Sequence, residues 1–530
     1  MTVKPALRVP AASKRVVLPL WAALVVAGAS GPVLDAAFPD RDVWFLAFPG
    51  IALVLLALRG RSLGGALLTG LVAGASFFFL HIEWASLFLG PLPMSALATV
   101  MALFGAAGGA VIALAYRWVP RVWPGVLGRL VLLPAVVAGL WTAREAWSAV
   151  WPYGGFAWGR VAQSQSESPL APLFAYLGIS GLGFLMVLLT AAALEVATVL
   201  TREYALRPVA GIRSSRIAYS RGLVGVLATA CLVLLVPGWP VVQDGTLRLA
   251  AVQGNGKAGY FDQRERGDLL RAQLAATERI IDEEIDLVIW PEGGSDLSPL
   301  TEPAAAAAFD YVTEAMDAPL LAGVITQREQ ATYNSQLLWL PGEGLVDLYD
   351  KRHPVPFGEY IPDRAFWRMF APELIDMVAR DYSPGTTDMV VEVGGVTVGV
   401  NICFDIVDDQ ILTESVEQGA RLIVASSNNA DFGRTDESAQ QLAFARIRAI
   451  ELGRTVVNIS TVGISAVINA DGSTLAELPW YTADSMIIDA PLSSTITPAV
   501  LLGRELEWFA TGLGLAGLVL GAAAGRSSRD

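Results

Sequence analysis

The 530-residue chain is predicted to combine a polytopic bundle of about eight transmembrane helices with an α/β domain in water. Three observations predict this. The composition is 54% hydrophobic and 16% charged, with a mean hydropathy of +0.50, too apolar for a chain of this length folded wholly in water. The long uncharged runs fall almost entirely in residues 1–240 and 506–525. Between 244 and 505 the pattern changes to short β-rich runs that alternate with amphipathic stretches. The expected organisation is a seven-helix membrane part over 1–240, a water-exposed domain over 241–505, and a last span with its tail over 506–530.

A membrane span needs about 20 predominantly apolar residues. Eight runs qualify, near 16–34, 43–58, 63–85, 94–115, 129–150, 173–200, 221–238 and 506–524. Lys14 and Arg15 precede a first run ending in "VAGAS", a signal-peptide pattern, but further spans follow at once and the run is read as retained. With the N-terminus inside, the inner segments hold sixteen Lys and Arg, among them Lys4, Arg8, Arg207 and Arg529. The outer loops hold three, Arg41, Arg144 and Arg160. This bias predicts that the large domain after the seventh span lies outside the cytoplasm. Glu195, within the sixth span, is read as a solvated carboxylate near its inner end. In the outer loop 151–165, Tyr153 and Trp158 are read as interfacial aromatics.

Residues 244–505 hold forty Asp and Glu against eighteen Lys and Arg, a net charge of −22 that repels nucleic acid phosphates. The two cysteines are far apart: Cys231 lies in the seventh span, where it is read as a packing residue, and Cys403 in the domain. Cys403 is therefore expected to be a free thiol in a compartment where disulfides can form. Strands are predicted at "LRLAAVQGN", "DLVIWPEGG", "PLLAGVIT", "NSQLLWL", "VTVGVNICFDI", "ARLIVASSNN", "TVVNIS" and "ISAVINADG", the last ending in a hairpin-turn signal. Helices are predicted between them, for example "ESAQQLAFARIRAIELG".

Three polar residues stand at predicted strand ends or just beyond: Glu292 after "LVIWP", Lys351 in "LYDKRHPVPFGEY" and Cys403 in "VGVNICFDI". Side chains at strand carboxyl ends of an α/β fold share a rim where sites form. Taken singly, each reads as structure: a turn carboxylate, a surface cation, a buried thiol. Taken together they meet a chemical requirement, because a thiol attacking a carbonyl needs a base for its proton and a cation for the oxyanion. A Cys–His pair would rest on His353 alone, since His81 sits at a span end.

The segments "WPEGG", "YDKRHPVPFGEY" and "NICFD", with gaps of 59 and 52 residues between Glu292, Lys351 and Cys403, resemble the Glu-Lys-Cys motifs of the carbon-nitrogen hydrolase (nitrilase) superfamily. That resemblance implies an α-β-β-α sandwich. A domain of this kind between a seventh and an eighth span is similar to the apolipoprotein N-acyltransferases of the bacterial inner membrane. Glu359 eight residues after Lys351, Asn334 in "YNS", Gln253 in "QGN" and "ARIRAIELGR" support the narrower likeness. The chain departs from it at Phe404 and Asp405, where the family has Tyr-Glu, and at Asn429 and Asp431 in "SNNADFG", where it has Asp and Trp.

The resemblance implies acyl transfer from a phospholipid, through a Cys403 thioester, to the α-amine of a diacylglyceryl-cysteine at a lipoprotein's N-terminus. Glu292 would move the protons, Lys351 would stabilise the oxyanion, and Glu359, Asn334, Phe404, Asp405, Trp367 and Phe357 would support or bind substrate. No metal or cofactor is implied, and a monomer is expected. Segment 357–383, with Phe357, Phe366, Trp367, Met369 and Phe370 among charges, is read as a mobile lid entering the membrane interface; the alternative is a surface helix packing its aromatics on the domain. Two competing functions are a membrane-tethered amidase that discharges the thioester to water and a catalytically silent scaffold.

Overall fold

The computed structural model describes residues 18–205 and 212–527. Lys4, Arg8, Lys14, Arg15, Arg207 and Arg529 lie outside the described residues, as does the start of the first expected span. Each apolar run forms a helix: α1 (Leu20–Asp35), α2 (Ala47–Leu58), α3 (Leu63–His81), α4 (Pro91–Val122), α5 (Leu133–Val150), α6 (Phe174–Ala205) and α7 (Ile212–Leu234). Among the described residues five helices are long and apolar enough to cross a membrane, while the apolar stretches of α1, α2 and α7 are shorter. The chain is a membrane protein.

Glycines decide how closely α3 and α4 pack. Gly70 and Gly74, one turn apart, lie against Gly105 and Gly109, also one turn apart. A Cβ added at Gly70 would strike the Gly105 carbonyl oxygen and come within 3.0 Å of the Ala106 Cα. Small residues four apart let two backbones meet where lipid supplies no hydrophobic drive for association. Glu195 corrects the sequence reading: it is 5% exposed and ion-paired with buried Arg59 of the α2–α3 turn. A carboxylate in an apolar helix finds a cation before it finds water.

The domain begins as β1 (Gln243–Gln253), followed by α8 (Asp268–Thr277), β2 (Leu287–Ile289), α9 (Pro303–Met316), β3 (Leu320–Arg328), β4 (Ala331–Leu340) and β5 (Gly344–Asp350). It continues with β6 (Val390–Val393), β7 (Val396–Ile402), α10 (Asp409–Glu417), β8 (Leu422–Ser427), α11 (Asp436–Leu452), β9 (Thr455–Ser460), β10 (Ser465–Ile468), β11 (Thr474–Leu478) and β12 (Asp484–Ser493). Two six-stranded sheets result, ordered β12-β1-β2-β3-β4-β5 and β11-β10-β9-β8-β7-β6.

Strand periodicity explains the layers. Ala250, Val252, Val288, Trp290, Leu320 and Ala322 pack under α8 and α9 with Leu270, Phe309 and Met316. Their neighbours Leu249, Ala251, Leu287, Ile289 and Leu321 point the other way, into the cluster shared with the second sheet. That core meets Val398, Val400 and Ile402, and α10 and α11 cover the far side. The layers are α-β-β-α. "NADG" forms its hairpin: the Gly472 N–H donates to the Asn469 carbonyl at 2.8 Å, between antiparallel β10 and β11.

The last helix, α12 (Pro498–Ser527), starts earlier than the apolar run predicted. Thr497 caps it through the Val500 N–H at 3.3 Å, with Pro498 in the first turn. Trp158 also differs from expectation. It is 3% exposed, donates from Nε1 to the Gln440 Oε1 of α11 at 2.7 Å, and joins the membrane part to the domain instead of meeting lipid.

Gly70→Leu is expected to force α3 from α4 and destabilise the purified protein by about 3 kcal/mol or more. Gly64→Leu, with nothing within 4 Å of its Cβ position, is the control and should leave the thermal midpoint unchanged. Equal midpoints for the two variants would contradict the packing argument.

Candidate active site

The strand β7 ends at Ile402 and the chain turns at once into one helical turn, Cys403–Val407. Cys403 takes a positive φ of 52°, a left-handed conformation costly for a residue with a Cβ. Asp405 holds that conformation. Fully buried, it accepts the Ile402 N–H at 3.2 Å, the Tyr349 hydroxyl at 2.8 Å and the His353 N–H at 3.0 Å. One carboxylate thus caps the turn and ties it to the segment around Lys351. The departure to Asp is accommodated by local geometry.

The other chemical groups come from the first sheet. Glu292 stands three residues beyond β2, and the bare backbone of Gly323 on β3 makes room for it: a Cβ there would lie 2.7 Å from the Glu292 Cα. Lys351 follows β5 directly, its N–H donating to the Asn334 carbonyl at 2.8 Å and its carbonyl accepting the Gly385 N–H at 2.8 Å. The Lys351 Nζ, on a residue 1% exposed, lies 2.8 Å from Glu359 Oε2 and 3.7 Å from Glu292 Oε1. Asn334 spans the two carboxylates, donating from Nδ2 to Glu292 Oε1 at 2.6 Å and to Glu359 Oε1 at 3.0 Å. Glu359 Oε2 also accepts the Val355 N–H at 2.6 Å.

These contacts set the proton inventory. Burial pushes the Glu292 carboxyl up, against the pull of Lys351 and the hydrogen bond from Asn334. Its Oε2 is buried with no partner at hydrogen-bond distance and angle among the described residues, and the Cys403 thiol beside the carboxylate favours its ionised form. Burial, then the Glu292 charge, lift the Cys403 thiol well above its usual range, so the thiol holds its proton at rest. Burial alone would lower Lys351, but the Glu359 and Glu292 carboxylates hold it well above its ordinary value as an ammonium. The arrangement is a neutral thiol beside a raised carboxylate and a permanent cation. It can do acyl transfer at sulfur in which the base removes the proton during attack.

The structure brings Glu292, Lys351, Cys403, Glu359 and Asn334 together, with Asp405 behind the turn. Phe404 points away from them, stacked at 6.2 Å on Phe156 and 6.4 Å on Trp158. Phe357 and Trp367 pack edge to face at 5.6 Å and cover Ile361, Ile375 and Val378 beside Leu89 of the membrane part. Segment 357–383 therefore divides its aromatics: these two are half-buried against the cluster, while Phe366, Met369 and Phe370 are exposed. Tyr153, itself 36% exposed, packs edge to face on Phe357 at 6.0 Å, its hydroxyl donating to Asp363 at 3.0 Å. His353 is no partner for the thiol, since its Nδ1 lies 3.2 Å from Asp408.

Sequence reasoning missed Tyr349, Arg160 and Arg448, whose contacts join segments far apart in the chain. It also missed Glu437, a 3% exposed carboxyl pushed up to about 8 by burial and held by the Asn429 Nδ2 at 2.8 Å. Asn429 thus supplies the donor that a second carboxylate in its place could not.

The family model of the apolipoprotein N-acyltransferase N-terminal domain matches residues 30–192, and that of carbon-nitrogen hydrolase matches 248–498. The apolipoprotein N-acyltransferase of Mycolicibacterium smegmatis is 32% identical over 93% of this chain and 84% of its own. That of Azotobacter vinelandii is 29% identical over 95% of each chain. Among solved structures, an amidase from Nesterenkonia sp. covers 48% of this chain and 93% of its own at 17% identity and a TM-score of 0.36. With a relative of that identity aligned through membrane helices and sandwich alike, the chain belongs to the apolipoprotein N-acyltransferase family and is an acyltransferase.

Proposed function

We propose that this enzyme moves an acyl chain from a phospholipid to the α-amine of a lipoprotein's N-terminal diacylglyceryl-cysteine, through a thioester on Cys403. The observation that carries the reading is the set of buried Glu292 and Lys351 with half-buried Cys403, reached past a segment that exposes Phe366, Met369 and Phe370. The excess of Lys and Arg in the inner segments supports a domain on the extracytoplasmic side of a bacterial inner membrane, with the membrane part over 1–240, the domain over 241–505 and the last segment over 506–530.

In the first stage the Glu292 carboxylate takes the thiol proton as Cys403 sulfur attacks the sn-1 ester carbonyl. The Lys351 ammonium faces the oxygen that becomes negative. When the ester C–O bond breaks, Glu292 returns its proton to the departing lysophospholipid oxygen. In the second stage the free amine attacks the thioester, Glu292 takes an amine proton, and the C–S bond breaks to release sulfur, which regains that proton. Glu359 and Asn334 keep Glu292 and Lys351 in place between stages.

Both substrates carry acyl chains that cost about 0.8 kcal/mol per CH₂ to draw into water. A site fixed to membrane helices and covered by an apolar segment avoids that cost and shields the thioester. Discharge is therefore expected to depend on the amine. With a diacylglyceryl peptide whose α-amine is acetylated, the acyl-enzyme should persist and fatty acid release should fall at least about tenfold below product formation from the open peptide. Fatty acid released as fast with the blocked peptide would establish a hydrolase instead.

Glu292 acts in its ionised form, so thioester formation should rise with pH through a midpoint above the ordinary glutamate range, since burial raises that carboxyl. The Asn334 hydrogen bond favours the carboxylate. Asn334→Ala should shift the acidic limb to higher pH, with single-turnover rates about tenfold lower at the acid end and a smaller loss on the alkaline plateau. A uniform loss at every pH would remove Glu292 from the role of base.

A further inference from the structure

Between α5 and α6 the chain makes three contacts with the turn that carries Cys403, and the acyl-transfer scheme uses none of them. Phe156 and Trp158 stack on Phe404. Arg160 donates from both terminal nitrogens to the Asp409 carboxylate, at 2.7 and 2.8 Å, and from Nη2 to the Val407 carbonyl at 3.2 Å. Arg448 of α11 arrives from the opposite side. Its Nε donates to the Ile406 carbonyl at 2.9 Å, and its Nη2 donates to the Val407 carbonyl at 2.9 Å and to Asp409 at 2.6 Å.

The last carbonyls of a helical turn have no partner inside it. Here two guanidiniums take that place, on residues only 5% and 0% exposed. Burial would raise the Asp409 carboxyl, but Arg160 and Arg448 hold it well below the usual carboxylate range, so it stays ionised, and Glu451, ion-paired with Arg448, is the second carboxylate of the group. The loop itself is anchored to the membrane part: Glu145 Oε1 of α5 accepts the Val161 N–H at 3.2 Å, and Gln165 Nε2 donates to the Trp44 carbonyl at 3.1 Å.

We propose that Arg160, supplied by the membrane part, is a positioning residue for the nucleophile: its fork on Asp409 and its bond to the Val407 carbonyl hold the tail of the Cys403–Val407 turn. Asp405 holds the head of the same turn from within the domain. Cys403 then meets Glu292 and Lys351 in register only when the domain is seated on the membrane helices. A thioester forms only in the assembled enzyme at the lipid surface. The inference rests on Cys403 being the nucleophile.

Full-length Arg160→Lys in lipid nanodiscs tests it, because lysine keeps the charge and loses the fork. The expected result is thioester formation at least about tenfold slower, with an unchanged phospholipid KM and an unchanged thermal midpoint. Alkylation of Cys403 by iodoacetamide should slow or change its pH profile in parallel, which a role in stability alone would not produce. Wild-type thioester formation in Arg160→Lys would overturn the proposal. If that variant does not fold, Asp409→Asn, which keeps an oxygen acceptor for both guanidiniums, replaces it: slowed formation supports positioning and a wild-type rate overturns it. Cys403→Ser is run alongside. Acyl transfer persisting in Cys403→Ser would sink the nucleophile assignment, whereas its loss together with a wild-type Arg160→Lys would sink only the positioning role.

Discussion

A lysine ammonium buried between two sheets is the constraint on which the rest of this site depends. Moving such an ion out of water costs several kcal/mol even after relaxation, unless charges and hydrogen bonds replace its hydration. Lys351 recovers that cost from Glu359 at 2.8 Å and Glu292 at 3.7 Å. Two carboxylates around one cation would themselves repel, so Asn334 donates to both. The set closes only when the ends of β2, β4 and β5 are in register, which makes the first sheet's pairing a condition for chemistry. Removing any one member leaves a buried charge without its partner, a change far costlier than the loss of a surface ion pair.

The second sheet contributes only the thiol, but delivers it on a strained residue. A positive φ at Cys403 persists because the turn is held from both sides. Asp405 links its head to Tyr349 and His353 of the first sheet's extension, and the paired arginines receive its tail. The stack of Phe156, Trp158 and Phe404 then fills the junction between membrane helices and domain with aromatic surface. Phe404 therefore packs the membrane part against the domain, a contact an aromatic ring makes with or without a hydroxyl.

Much of this was legible because the relevant signals are local. Span length and apolarity mark the membrane helices, short β-rich runs between amphipathic stretches mark strands such as the one through Leu249–Val252, and turn residues mark the β10–β11 hairpin. The chemical residues were legible through three short segments whose order carries the resemblance. Long-range contacts were not. Arg160 and Asp409 are 249 positions apart, and nothing in "FAWGRVAQ" distinguishes an arginine that leaves the loop for a protein partner from one that stays in water. The same holds for Trp158, which reads as an interfacial aromatic until Gln440 comes to it. Glu195 was misread because an acidic residue in a span signals a partner without naming it, and Arg59 lies 136 residues earlier. In segment 357–383 composition could not assign faces, since Phe366 and Trp367 are adjacent in sequence, the first exposed and the second half-buried.

The proposed scheme requires the half-buried Cys403 thiol to become an acyl-thioester before any acceptor binds. Its most direct measurement is intact-protein mass spectrometry of the purified enzyme mixed with phospholipid carrying an isotopically labelled sn-1 chain, in the absence of lipoprotein. The account predicts a single mass increment of one labelled acyl chain, located on Cys403, discharged by hydroxylamine, and absent from Lys351→Met. Acylation of an added diacylglyceryl peptide by enzyme that never acquires this increment would contradict the account, and direct transfer between the two lipids would have to replace it.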